Sequence, residues 1–195
     1  MADKQLTEED LKNMSPEELA ALQKQNCIFC HIISGKIPAK KVYEDEQCIA
    51  ILDINPASKG HILLLPKEHY AIMPQMPDDA IKHISAVTKK LSAAALRGLQ
   101  SQGTNIFIAN GAIAGQRAPH VMVHIIPRYE GDALTCFEIP EKTLTESDKK
   151  QIYTLLSQRF GRKPEQKKDE QSSVKSNDKK DLKEISLKEL KEIVS

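Results

Sequence analysis

A net charge of +1, from 28 basic and 27 acidic side chains, leaves this 195-residue chain without a global field. Overall charge therefore does not draw it to nucleic acid or to an anionic membrane, and a phosphate-bearing ligand has to be held locally. Long apolar runs are missing too. No stretch approaches the roughly 20 residues of a membrane span, and the polar, acidic start Met-Ala-Asp-Lys has no signal-peptide core. The expectation is a cytoplasmic protein with no membrane partner and no dedicated nucleic-acid surface. Cysteine is sparse, at positions 27, 30, 48 and 136. Without an export signal a disulfide framework is disfavoured, and the close pair Cys27-Ile-Phe-Cys30 reads as metal or redox chemistry.

The length allows one domain of ordinary size plus extensions, not two cores. Residues 1–24 carry two helix-start signatures, Thr7 to Asp10 and Ser15 to Glu18, and an apolar stripe of Leu19 and Leu22, which predict a helical arm. From Cys27 the pattern turns β-prone. Short runs at Lys41 to Tyr43, Cys48 to Leu52 and His61 to Leu65 are separated by the turn Glu44-Asp45-Glu46 and by the stretch from Asn55-Pro56 to Gly60, the first two reading as a hairpin. Ile81, Ile84, Val87, Leu91 and Ala95 share one helical face, so a helix should start after Pro77 and end near Gly98 or Gly103. Strands at Thr104 to Ala109 and His120 to Ile126 complete an α+β domain over 25–140 with a mainly antiparallel sheet. A helical segment over 141–162, a flexible charged linker over 163–180 and a short amphipathic helix over 181–195 follow.

Within the run from Pro119 to Arg128, period-two alternation puts His120, Met122 and His124 on one face and aliphatic groups on the other. Cys27 and Cys30 are spaced to clasp zinc, with imidazoles available at His69 and His120; burial or redox pairing of the two thiols is the competing reading. His31 should point away, and His83 reads as a solvated helix histidine. Asp53 ends an apolar strand, so it either caps the following turn or accepts bonds from a ligand. The loop Asn110 to Pro119 is either a strand connector or an anion cradle, in which Gly111 and Gly115 let backbone approach and Gln116 and Arg117 donate.

Cys-Ile-Phe-Cys-His-Ile-Ile, Leu52-Asp53-Ile54, Lys59-Gly60-His61, Pro66-Lys67-x-His69 and Gln116 followed by His120-Val-Met-Val-His124-Ile-Ile together resemble the histidine-triad family of nucleotide hydrolases and transferases, from about Cys27 to Arg128. The resemblance implies a five-stranded antiparallel sheet with one long helix, pairing with a second subunit, and a purine-nucleotide pocket; an unpaired Thr104 to Ala109 edge beside the apolar face of that helix is the expected homodimer contact. It implies zinc on Cys27, Cys30, His69 and His120, the ribose on Asp53 with Phe29 and Ile54 beside the base, and the α-phosphate near Asn110, Gly115, Gln116 and His124. His61 matches a position often held by histidine and is read as structural. Two positions depart from the family pattern. Met122 stands where the family carries its nucleophilic histidine, and Arg117 stands where related enzymes commonly have Ser or Thr. Thioether sulfur forms no stable phosphoramidate, which leaves His124 and Arg117 to support a weakened hydrolysis of phosphoramidates or phosphoanhydrides. The alternative is a nucleotide-binding sensor or scaffold with a structural zinc.

Overall fold

Uninterrupted apolar runs such as those beginning at Cys48 and Ile62 can form strands only where both faces of a sheet are covered. The computed structural model, which describes residues 14–135 and 142–160, has that arrangement. Strands β1 (Lys41–Glu44), β2 (Cys48–Leu52), β3 (Ile62–Pro66), β4 (Gly103–Phe107) and β5 (Val123–Arg128) form one antiparallel sheet in the order β1-β2-β3-β5-β4. The long helix α3 (Asp78–Gly98) lies between β3 and β4 in the chain and covers one face. Its Ile84, Val87 and Leu91 meet Cys48, Ala50, Leu64, Val123 and Ile125. The alternate residues Ile49, Ile51, Leu63 and Leu65 point to the other face, where Phe29, Ile32, Ile33 and Met122 cover them. Leu64 and Ile125 are fully buried, each contributing about 1.5–3 kcal/mol of transfer energy.

Two short helices precede the sheet, α1 (Pro16–Gln25) and α2 (Ile28–Ile33). Ser15 and Glu18 close the reciprocal cap expected from the sequence, with bonds of 3.2 and 2.8 Å. Helix α2 has no counterpart in the sequence reading. At six residues it is too short to show a helical period, and Cys27 caps it without a side-chain hydrogen bond. The chain divides into two compact units, one up to Glu138 and one from Ile139. In the second, α4 (Glu146–Arg159) starts at a reciprocal Thr145–Asp148 cap and exposes Ile152, Leu155 and Leu156. The sequence expectations for residues 1–13, the linker 163–180, the helix 181–195 and Cys136 lie outside the described residues. Among those described, no helix is long and apolar enough to cross a membrane.

The strand containing the two histidines starts later than the sequence suggests. Val121 donates its N–H to Tyr70 O at 2.7 Å and His120 to Ala118 O at 2.8 Å, so pairing with β3 begins only at Val123. β5 in turn runs on to Arg128, opposite Gly103, and β4 ends at Phe107 rather than Ala109.

The turn between β2 and β3 is set by Gly60, which has φ +87° and whose missing Cβ leaves room for Leu99 Cδ1. Gly60→Ala is expected to cost about 2 kcal/mol, from the left-handed backbone and from displacement of Leu99. Urea denaturation would show it as a lowered midpoint at constant slope; an unchanged midpoint would contradict the packing described.

Candidate functional site

Two constellations, of which the sequence reading foresaw the thiol–imidazole clasp, lie on the face opposite α3. Alternation sends Val121, Val123 and Ile125 into the α3 core and turns Met122 to the other side, among Phe29, Ile32 and the Ile49–Leu65 cluster. His120 and His124 flank it on the same side.

The first constellation is the clasp. Cys27 caps α2 and Cys30 lies in its first turn, so helical spacing turns the two sulfurs together. Cys27 Sγ is 3.5 Å from His120 Nδ1, and Cys30 Sγ is 3.3 Å from His69 Nδ1 and 3.7 Å from His120 Nδ1. All four donor atoms lie within 4.8 Å of one another. Bond lengths of about 2.3 Å to sulfur and 2.0 Å to nitrogen place S and N about 3.5 Å apart in a tetrahedron, so the donor set fits a zinc ion. His120 Nε2 donates to Pro66 O at 3.0 Å, which leaves the Nδ1 lone pair facing the thiols. Burial pushes the His120 imidazole down to about 4 and the His69 imidazole below its ordinary value, so both are neutral as ligands must be. Burial, reinforced by Cys27, pushes the Cys30 thiol up to about 12; a bound cation would reverse that. His31 points away, its Nε2 2.6 Å from Gln25 O.

The second constellation joins Asp53, His61 and His124, whose polar atoms also lie within 4.8 Å of one another. Asp53 N donates to His61 O at 3.0 Å, which holds the turn so that the two side chains meet. Asp53 Oδ1 accepts from Asn55 N at 2.9 Å, the turn role, while Oδ2 is 3.4 Å from His61 Nδ1. Both roles foreseen for this carboxylate are therefore open to it at once. Ala57 N donates to His61 Nδ1 at 3.2 Å, so the proton of His61 resides on Nε2 and is directed at His124 Nδ1, 3.1 Å away. The proton of His124 is thereby assigned to Nε2. Phe107, paired with His124 across the β4–β5 ladder, stacks parallel to its ring at 4.4 Å. Burial, with lesser repulsion from His61 and Arg117 and opposed by Asp53, pushes the His124 imidazole down to about 4. It is neutral at pH 7 and offers Nε2–H as a donor. The sequence reading took His61 as structural only. Its contact with His124 links residues 63 apart in the chain, which no local pattern reveals.

The loop between β4 and β5 is held by its own amides. Gln116 Oε1 accepts from Gly111 N at 2.7 Å and its Nε2 donates to Ala71 O at 2.6 Å, while Asn110 Oδ1 accepts from Met73 N at 2.9 Å. These side chains tie the loop to the segment after β3, leaving one Gln116 amide hydrogen unspent. Gly111 and Gly115 both have φ +88°, and a cleft of about 300 Å³ opens between the loop and Ala71–Ile72. Arg117 lines it, exposed, and its charge reaches His124. Phe29 is half-buried beside His120, at 6.0 Å between rings, whereas Ile54 is 90% exposed.

Sequence reasoning also missed Asp45, which accepts from Tyr43 Oη, Gln47 N, Cys48 N and His83 Nε2, each at 2.8 Å. His83, expected to be solvated, is thus a staple between α3 and the β1–β2 turn.

A sheet of this order with clustered histidines at the start of β5 defines a class, and comparison with known proteins gives its name. The HIT domain family model matches residues 34–131. The chain belongs to that family. It is 54% identical to an uncharacterized HIT-like protein of Methanocaldococcus jannaschii over 54% of this chain and 81% of that protein. The adenylylsulfatase HINT3 of Arabidopsis thaliana is 40% identical over 62% and 61% of the two chains. The adenosine 5'-monophosphoramidase hnt1 of Schizosaccharomyces pombe is 42% identical over 53% and 74%. Among solved structures, a Zn-bound histidine triad family protein of Mycobacterium smegmatis superposes with a TM-score of 0.55 at 34% identity, over 71% of this chain and 98% of that one.

Proposed function

We propose that this chain binds purine nucleotides between Asp53, the loop 110–117 and His124, and that any hydrolysis beyond the α-phosphate proceeds by direct attack of water and is weak. Met122 carries the reading. It stands between His120 and His124, at the position of the family's nucleophile, where a thioether has no proton to exchange and forms no stable phosphoryl adduct. Asp53 receives the ribose hydroxyls, Gln116, Gly115 and Asn110 shape the phosphate cradle, and His124 Nε2–H with Arg117 stabilises phosphoryl charge. Support for a nucleotide ligand comes from the two relatives named for adenylyl sulfate and for AMP phosphoramidate. A second reading, a sensor or scaffold without turnover, is favoured by Met122 itself and shares the same ligand. Zinc on Cys27, Cys30, His69 and His120 is a structural cofactor in both readings, since four protein donors leave no open position. The nucleotide-binding domain is assigned to 25–140, with 1–24 and 141–195 as accessory segments, in a cytoplasmic protein.

Asp53→Ala tests the ligand assignment. Calorimetry should show AMP affinity falling about tenfold or more, and deoxy-AMP affinity falling much less, because the carboxylate is assigned to the hydroxyls. Equal losses for the two sugars would contradict the role.

The reading includes a homodimer through α3 and the β4 edge. β4 pairs only with β5 among the described strands, Ile106 on it is 47% exposed, and a cavity of about 340 Å³ between α3 and β4 is lined by apolar groups including Ile81, Ile84 and Ile106. Light scattering should give a dimer at micromolar concentration and a monomer for Ile106→Lys. A monomeric wild type would overturn this interface.

A further inference from the structure

We propose that Arg117 makes the site selective for nucleotides whose group beyond the α-phosphate is anionic, a second phosphate or a sulfate, over nucleotides that carry an amine there. The inference rests on the nucleotide reading above and names the substrate class of the same site.

Three observations on the loop carry it. The guanidinium of Arg117 makes no hydrogen bond or ion pair with the described residues, so its charge is uncommitted. Its cleft is lined by Ala71, Ile72, Gly111, Gln116 and neighbouring small residues, and no carboxylate lies among them to neutralise it. At about 300 Å³ the cleft has room for more than one phosphoryl group. The cation also belongs to the loop assigned to the α-phosphate, next to Gln116, and its charge acts on His124. A planar five-donor cation held there pairs with a second tetrahedral anion and gains no ion pair from a neutral P–N nitrogen.

Leaving-group chemistry points the same way. When water attacks the α-phosphorus, a new P–O bond forms and the bond to the leaving group breaks. Sulfate keeps the electron pair on oxygen as a stable dianion while both protons of the water pass to solvent; phosphate keeps the pair on oxygen and takes up one of those protons as hydrogen phosphate. An amine can leave only if its nitrogen takes up a proton with the electron pair. His124 has Nδ1 occupied by His61 and a neutral ring, so it is a poor acid for that task. Sulfate needs no acid, hydrogen phosphate can take its proton from water, and the charge of either gains from the fixed cation.

The test is calorimetric titration of the full, zinc-loaded chain with AMP, ADP and adenosine 5'-phosphoramidate, repeated on Arg117→Gln and Arg117→Lys. The wild type is expected to bind ADP about tenfold more tightly than AMP and the phosphoramidate no better than AMP. In Arg117→Gln the ADP-to-AMP ratio should collapse towards one, and Arg117→Lys should restore part of it. A ratio that persists in Arg117→Gln, or a phosphoramidate bound as tightly as ADP by the wild type, would overturn the assignment. If none of the three nucleotides binds, the nucleotide reading falls and this inference with it.

Discussion

Replacing Cys27 with serine is expected to release zinc and to destabilise the first unit by several kcal/mol, on the order of 4, the largest stability change expected in the molecule. Cys27 is 3% exposed and caps α2, so the clasp ties that helix to the end of β3 through His69 and to the chain before β5 through His120. α2 contributes Phe29, Ile32 and Ile33 to the cover over Ile49, Ile51, Leu63 and Leu65. Loss of the proposed metal would leave a buried and a half-buried imidazole and a thiol without a shared partner, and a six-residue helix has little intrinsic tendency to persist. Thermal unfolding with and without a chelator, alongside elemental analysis, measures the effect. Wild-type protein purified without zinc, or a Cys27→Ser variant as stable as wild type, would contradict the metal assignment.

Met122→His is expected to have the largest effect on chemistry. The thioether sits half-buried on the cover side of the sheet, flanked by His120 and His124, and an imidazole of similar reach would have a lone pair able to attack phosphorus. Its nitrogen would bond to the α-phosphorus as the leaving group departs, and water would then break the P–N bond to regenerate the ring. Nucleophilic catalysis of this kind should raise turnover roughly a thousandfold over direct water attack. Rapid quench with labelled nucleotide should trap an adduct on Met122→His and none on the wild type. A trapped adduct on wild-type protein would show that another residue is the nucleophile.

Much of this site could be read from local pattern. Alternation from His120 to Ile126 placed the two histidines and Met122 on one face, and the apolar period of Ile84, Val87 and Leu91 located α3, because burial imposes those periods directly. The thiol pair and its imidazoles were legible through motif spacing and resemblance. What stayed hidden depends on contacts between distant residues. His61 looked structural because its partner His124 arrives from another strand, and His83 looked solvated because Asp45 belongs to a turn 38 residues away. Asn110 and Gln116 were placed around the α-phosphate by resemblance, and their bonds to Met73 and Ala71 show that they hold the loop against its neighbour. The start of β5 was misjudged because the chain bends through His120 and Val121 bonds to Tyr70 rather than to β3. Amino-acid pattern reports extension and burial, not which partner receives the hydrogen bond.

The central claim is a nucleotide pocket that has lost its covalent step but kept its ligand contacts. A crystal structure of the zinc-loaded protein grown with AMP tests it most directly. The expected result has the ribose hydroxyls on the Asp53 carboxylate, the α-phosphate between the 110–117 loop and His124 Nε2, and no bond from phosphorus to the protein. AMP bound away from Asp53 and that loop, or covalently linked to a side chain, would contradict the account.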